Sequence, residues 1–198
     1  VSREALPRLE GAISGDARGG ALFPDDHRVD NRRLLKGLKS LAVSRGATIR
    51  EYEPLRGIET ENNRLVAVRT DGGRIETGTV INALGAWAGQ LEGDPVRPAV
   101  RPVKGHMLAL VDGPAMRHVV YGRHGYIVPR GDGRLIVGST MEEAGFDTRV
   151  TAEGIARLIT IATAIAPGTK EATISETWTG LRPATPDGLP LIGLGSVE

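Results

Sequence analysis

A single arginine, Arg182, stands in the run Trp178-Thr179-Gly180-Leu181-Arg182-Pro183-Ala184-Thr185-Pro186-Asp187-Gly188. The run is too punctuated by proline and glycine to be a helix and too apolar to be a loose tail. Gly180 permits close backbone approach, and Pro183 fixes the turn directly after the guanidinium. A guanidinium held in this way can clamp a carboxylate through two parallel hydrogen bonds. The same arginine could serve an ordinary ion pair of small energetic weight, and the residues alone leave both readings open. A second group is Tyr126, in His124-Gly125-Tyr126-Ile127-Val128-Pro129-Arg130. It offers either a hydroxyl to a ligand or a ring packed on a strand.

Other chemistries find little support. The chain has no cysteine, which removes disulfides, thiol catalysis and cysteine metal sites. His27, His106, His118 and His124 are dispersed without ligand spacing, so no metal is expected. No Gly-x-Ser-x-Gly elbow occurs, and Asp25-Asp26 and Glu142-Glu143 are adjacent pairs of the kind found in turns. Net charge is +1 and basic residues do not interleave with aromatic ones, so no nucleic-acid partner is indicated. Arg32, Arg33, Lys36 and Lys39 read as a solvated helix face, and Arg130 and Arg134 as surface residues beside a hairpin turn. No apolar run approaches the ~18–20 residues of a membrane span, and no signal peptide opens the chain; a cytoplasmic setting is compatible.

The elements that must carry these side chains can be read from periodicity. A short helix is expected over 2–9 and a short strand over 21–24. Asp30 caps a helix bearing Leu34, Leu38 and Leu41 that closes at Gly46. Strands are expected at 48–52, 55–60, 64–70 and near 74–75, with turns at Glu61-Asn62-Asn63 and Asp71-Gly72-Gly73. The apolar run Thr79–Ala83 reads as a strand buried on both faces, leading into a short helix after Gly85. Residues 98–139 are β-rich, with strands at 103–111, 118–121, 126–129 and 134–138 and a hairpin at Gly131-Asp132-Gly133. Thr151 caps an amphipathic helix ending before Pro167, and a strand follows over 173–181. The mixture suggests an α/β unit at 30–91 followed by an antiparallel sheet with a helix on one face.

Three blocks, 80–91 (VINALGAWAGQL), 124–146 (HGYIVPRGDGRLIVGSTMEEAGF) and 178–193 (WTGLRPATPDGLPLIG), resemble the D-amino-acid-oxidase-type flavoenzymes. Within that group the chain is most similar to the glycine oxidase of thiamine biosynthesis. The resemblance implies a mixed α+β and α/β fold: part of a Rossmann-like FAD-binding domain over 1–97, an antiparallel-sheet substrate domain over 98–182, and a return toward the FAD domain over 183–198. It implies FAD as cofactor, a small amino-acid substrate, hydride transfer from the substrate Cα to the flavin, and O2 or another electron acceptor. Sarcosine and D-amino-acid oxidases or dehydrogenases share these motifs. Oligomeric state stays open, a homo-oligomer included.

Carried over by position, Arg182 matches the substrate-carboxylate arginine and Tyr126 the tyrosine that reaches the same carboxylate. His124 matches a residue at the substrate entrance, and Met141 one lining the pocket. Asn82, Ala83 and Gly85 fall in the turn passing the FAD pyrophosphate, and Leu55, after Pro54, in the segment whose backbone meets adenine. Trp87 is expected to anchor the helix after that turn. His106 departs from the family, where glutamine or glutamate is more usual, so its polar contacts are open. No catalytic base is implied, because the cofactor supplies the difficult step.

The strand–Gly-x-Gly-x-x-Gly–helix unit that cradles a dinucleotide is missing. Gly131-Asp132-Gly133 is a hairpin turn, and Gly193-Leu194-Gly195-Ser196-Val197-Glu198 fails at its last position. With Val1 in place of an initiating methionine, the chain reads as an internal piece of a longer protein. The 198 residues alone are expected to be inactive and without FAD. A non-catalytic binding module is the competing reading for the isolated piece.

Overall fold

The computed structural model describes residues 1–195; Ser196, Val197 and Glu198, which complete the failed glycine motif and the 183–198 segment, lie outside the described residues. In chain order the elements are α1 (Leu6–Leu9), α2 (Asn31–Ser44), β1 (Leu55–Glu61), β2 (Arg64–Thr70), β3 (Gly73–Glu76), β4 (Arg101–Val111), β5 (Val120–Tyr121), β6 (Tyr126–Pro129), β7 (Leu135–Gly138), α3 (Ala152–Ile165) and β8 (Thr173–Ala184). Turns of 3₁₀ helix fall at Gly85–Gln90 and Pro167–Glu171. The fold is α+β, with a three-stranded sheet β1-β2-β3 and a five-stranded sheet ordered β5-β6-β7-β4-β8. The chain forms two compact units. One contains Val1–Gly37, Lys104–Glu142 and Asp147–Gly180; the other contains Leu38–Val103, Glu143–Phe146 and the residues from Leu181.

The first unit is built on an antiparallel sheet. β5, β6, β7 and β4 pair antiparallel, and the row Val120, Ile127, Val137, Leu108 runs straight across them. Ile127, Val137 and Leu108 are fully buried against Leu158, Ala162 and Ile165 of α3, with Leu110 and Leu135 beside them. Helix α3 forms because its apolar residues recur at helical spacing and because Thr151 caps it, Oγ1 accepting the Gly154 N–H at 3.1 Å. It stops at Ala166, one residue before Pro167. Helix α1 is tied down by Glu10, a buried carboxylate that accepts the backbone N–H groups of Arg117 (2.7 Å) and His118 (2.9 Å). Nothing in the sequence pattern pointed to that anchor.

Helix α2 matches its expected span, with Asp30 accepting the Arg33 N–H at 3.1 Å and Gly46 closing it at φ +91°. Its basic residues are less idle than expected. Arg32 pairs with Glu176 at 2.6 Å and lies 5.2 Å from the Trp178 ring centre. Arg130 and Arg134, expected at the surface, are half-buried: Arg130 donates to the Val29 carbonyl and Arg134 pairs with Asp132 and Glu176.

In the second unit β1, β2 and β3 form a meander whose first turn places Asn62 and Asn63 at positive φ, which asparagine tolerates. Three expected strands are absent: 21–24, 48–52 and 79–83 carry no ladder. Ile81, expected in a strand buried on both faces, is 87% exposed. An apolar run becomes a buried strand only where neighbours saturate its N–H and C=O groups on both sides. No described segment flanks 79–83 in that way.

Candidate functional site

The sheet of the first unit has a second face, turned away from α3. The residues alternating with its core positions form another cross-strand row: Tyr121, Tyr126, Gly138 and Met107, on β5, β6, β7 and β4. Tyr126 is half-buried, its ring centre 5.5 Å from that of Tyr121 and its hydroxyl 3.8 Å from Met107 Sδ. Both side chains meet over Gly138. A Cβ there would stand 2.6 Å from Met107 Sδ and 2.7 Å from the Tyr126 hydroxyl, so only glycine leaves room for the ring. His124, two residues before Tyr126, is exposed.

Met141 lies just beyond β7 and is 73% exposed. An exposed apolar side chain is held in place only by its backbone, and here the backbone is fastened on both sides. Glu142 and Lys104 exchange both backbone hydrogen bonds at 2.9 Å, and the His106 N–H donates to Thr140 Oγ1 at 2.8 Å. The buried His106 ring completes the fastening. Its Nε2 accepts the Thr151 N–H at 3.0 Å, which leaves the proton on Nδ1, facing Glu142 Oε1 at 2.9 Å and Thr140 Oγ1 at 3.2 Å. Gly154 of α3 packs directly on this ring, 2.6 Å from any added Cβ. Lys104, also buried, points its ammonium at Asp147, 3.5 Å away. Sequence reading left the contacts of His106 open and missed Lys104, Thr140 and Glu142. The available signal was a lysine and a histidine two residues apart in a strand apolar over most of its length.

Three carboxylates of this unit share an electrostatic trend. Burial pushes the Glu142 carboxyl up, but hydrogen bonds from Thr140 and His106 outweigh it and leave the group below its ordinary value. Arg149 holds Asp147 well below the usual carboxylate range, and Arg32 lowers Glu176. Each group binds its proton more weakly folded than unfolded, so its contribution is complete above the ordinary carboxylate pKa and lost as pH falls through the lowered one. The thermal midpoint should be flat from about pH 7 to 5.5 and fall below about pH 4.5. Calorimetry across that range checks it, and a midpoint that rises toward pH 3 would contradict the linkage.

The remaining predicted positions belong to the second unit. Arg182 is exposed near the end of β8. Asn82, Ala83 and Gly85 share one turn. The Asn82 side chain is turned inward, donating to the Ala88 carbonyl (3.1 Å) and Asp94 (2.9 Å) while accepting the Leu84 N–H. Ala83 and Gly85 are exposed, Gly85 has φ +55°, and no atom stands within 4 Å of a Cβ built on it. A rigid turn with open backbone fits a phosphate-bearing group approached through N–H groups. Trp87, within the following 3₁₀ turn, is 47% exposed and packs on Phe146, ring centres 5.6 Å apart. Leu55 opens β1 opposite Thr70, half-buried, and the Pro54 carbonyl beside it accepts the Asp71 N–H.

The family described as FAD dependent oxidoreductase matches residues 1–197. The chain belongs to this family. Among the relatives of this chain, the bifunctional protein ThiO/ThiG of Synechocystis sp. is 36% identical over 205 residues, covering 100% of this chain and 30% of that protein. The hydrogen cyanide synthase subunit HcnC of Pseudomonas aeruginosa is 34% identical, covering 98% of this chain and 47% of the subunit. The crystal structure of glycine oxidase from Geobacillus kaustophilus superposes with a TM-score of 0.90 at 31% identity, over 98% of this chain and 53% of that one. The chain thus spans about half or less of the length of these relatives. The family is flavin-dependent, so FAD is its cofactor. No helix among the described residues is long and apolar enough to cross a membrane.

Proposed function

We propose that the full-length oxidoreductase oxidises glycine or a similarly small amino acid at its carbon–nitrogen bond, giving the imino acid and then the oxo acid, with O2 or another acceptor taking the electrons. The imine would serve thiamine biosynthesis. The observation that carries the substrate class is the likeness to glycine oxidase at a TM-score of 0.90. When bound, FAD supplies the two-electron acceptor for this oxidation. The open backbone of Ala83 and Gly85 would hold its pyrophosphate, with Asn82 keeping the turn rigid and the Leu55 backbone beside the adenine.

This chain's own residues bind and orient. Arg182 clamps the substrate carboxylate, the Tyr126 hydroxyl donates a second hydrogen bond to it, Met141 lines the pocket, and His124 stands at its entrance. Fixing a small molecule at its carboxylate directs the remaining atoms and converts binding energy into orientation. Tyr126→Phe should raise KM about ten- to a hundredfold, the worth of one hydrogen bond to a charged group, with kcat changed less.

The deciding experiment uses the natural full-length protein. Its visible flavin absorbance is recorded, and turnover of glycine, sarcosine and D-alanine is followed both as peroxide release and with an artificial acceptor. Glycine turnover with peroxide supports the reading. Turnover of sarcosine or D-alanine alone replaces glycine by another activity of the family, and turnover only with the artificial acceptor assigns the electrons to an acceptor other than O2. Absence of both flavin and turnover rejects it in favour of a binding module.

A further inference from the structure

We propose that Met107 and Gly138 are positioning residues for the Tyr126 hydroxyl, a reading that rests on Tyr126 meeting the substrate carboxylate. Three strands bring these residues into one row, Tyr126 opposite Gly138 on β6 and β7, and Gly138 opposite Met107 on β7 and β4. Each has a separate part. Gly138 supplies the absence of a side chain, because a Cβ would lie 2.7 Å from both Tyr126 Cζ and its hydroxyl. The ring can then lie across β7 and reach the thioether of Met107 on the far side.

Met107 supplies the acceptor. Its Sδ stands 3.8 Å from the hydroxyl, which donates to it. Thioether sulfur is a weak, polarisable acceptor that also favours contact with an aromatic ring. It therefore orients the hydroxyl while no ligand is present and yields the proton readily to a stronger acceptor. A carboxylate is such an acceptor, so the hydrogen bond passes from sulfur to substrate without loss of a strong resting bond. A strong acceptor at 107 would compete with the substrate, and an alkyl group would leave the hydroxyl unoriented. Tyr121 braces the opposite side of the ring, 5.5 Å away between centres. The half-buried ring is thus fixed from both ends of the row.

The test is a set of double-mutant cycles in the full-length protein, with Tyr126→Phe as the common background. Met107→Leu should raise KM for the amino-acid substrate about threefold, a weak hydrogen bond's worth. Met107→Gln, which holds the phenol proton more firmly, should raise it about tenfold. Gly138→Ala should raise it tenfold or more by displacing the ring, as far as it folds. In every case kcat should change less than KM, and each effect should vanish in the Tyr126→Phe background.

A second readout is independent of turnover. The chain has three tyrosines, and ¹⁹F NMR of 3-fluorotyrosine protein identifies Tyr126 by its loss in Tyr126→Phe. Its resonance should move in all three variants and move again when carboxylate substrate is added. Effects on KM that persist undiminished in Tyr126→Phe would overturn the proposal, as would a ¹⁹F signal that ignores Met107. If the resonance responds to Met107 and Gly138 while Tyr126→Phe leaves KM unchanged, the positioning stands and the substrate role of Tyr126 falls.

Discussion

Replacing Arg182 by alanine in the full-length protein is expected to raise KM for the amino-acid substrate about a hundredfold, with kcat affected far less. A guanidinium meets a carboxylate through two charge-assisted bonds in a fixed fork, and removing one partner of such a pair costs about 2–5 kcal/mol. Lysine offers a point charge without the fork, so Arg182→Lys should lie between wild type and alanine. Arg182 is exposed in the second unit, next to Pro183, and its truncation should move the thermal midpoint little. Steady-state kinetics with glycine and with an uncharged amine separate the two readings of this residue. A clamp loses affinity only for the carboxylate-bearing substrate. An arginine serving a structural ion pair leaves KM untouched and lowers stability instead.

The second large effect is structural. His106→Leu should destabilise the protein by about 3 kcal/mol, because it strands several buried polar groups at once. The ring accepts the Thr151 N–H at the start of α3 and faces Glu142 and Thr140 through Nδ1. Leucine fills comparable space but leaves the Thr151 N–H without its acceptor and removes one of the two donors to Glu142. Glutamine offers an acceptor oxygen and a donor NH2 on one planar amide, so His106→Gln should recover most of the loss. Glutamate brings an acceptor but sets a second carboxylate against Glu142, and should recover less. Chemical denaturation of the four proteins checks the order His, Gln, Glu, Leu; a leucine variant as stable as wild type would refute it.

This network also shows how far the sequence could be read. Strand β4 was expected over 103–111 and occupies Arg101–Val111, and α3 was expected after Thr151 and begins at Ala152. Both spans follow from local patterns: a β-rich apolar run along β4, and a capping threonine before a helical stripe. The polar side chains within those spans were another matter. Lys104 and His106 lie on a strand whose neighbours are apolar, and their partners come from residues 140–151, distant in the chain. No pattern within β4 names those partners, since hydrogen bonds between remote segments leave no periodic trace.

The turn at 82–85 illustrates the opposite case. Asn82, Ala83 and Gly85 were singled out by a resemblance, and the local geometry of their turn is as tight as their small side chains suggest. The run before it was legible as apolar but not as structure. Thr79–Ala83 has the composition of a buried strand, yet Ile81 is almost fully exposed. Composition specifies that a segment can be buried; only a neighbouring strand makes it so.

By itself, the sequence determined most of the local elements and the family. Caps at Asp30 and Thr151, the Gly131–Gly133 hairpin, the helical and alternating periods, and three ordered motif blocks are all written within short windows, where residue type and spacing act directly on the backbone. The tertiary structure decided what those elements do together. It set Tyr126, Gly138 and Met107 in one row, fastened Met141 between Lys104 and His106, and left Thr79–Ala83 without a ladder. Such outcomes depend on which distant strand lies alongside and in which register. A shift of one residue sends every side chain to the other face, and that choice is made by the packing of the whole sheet.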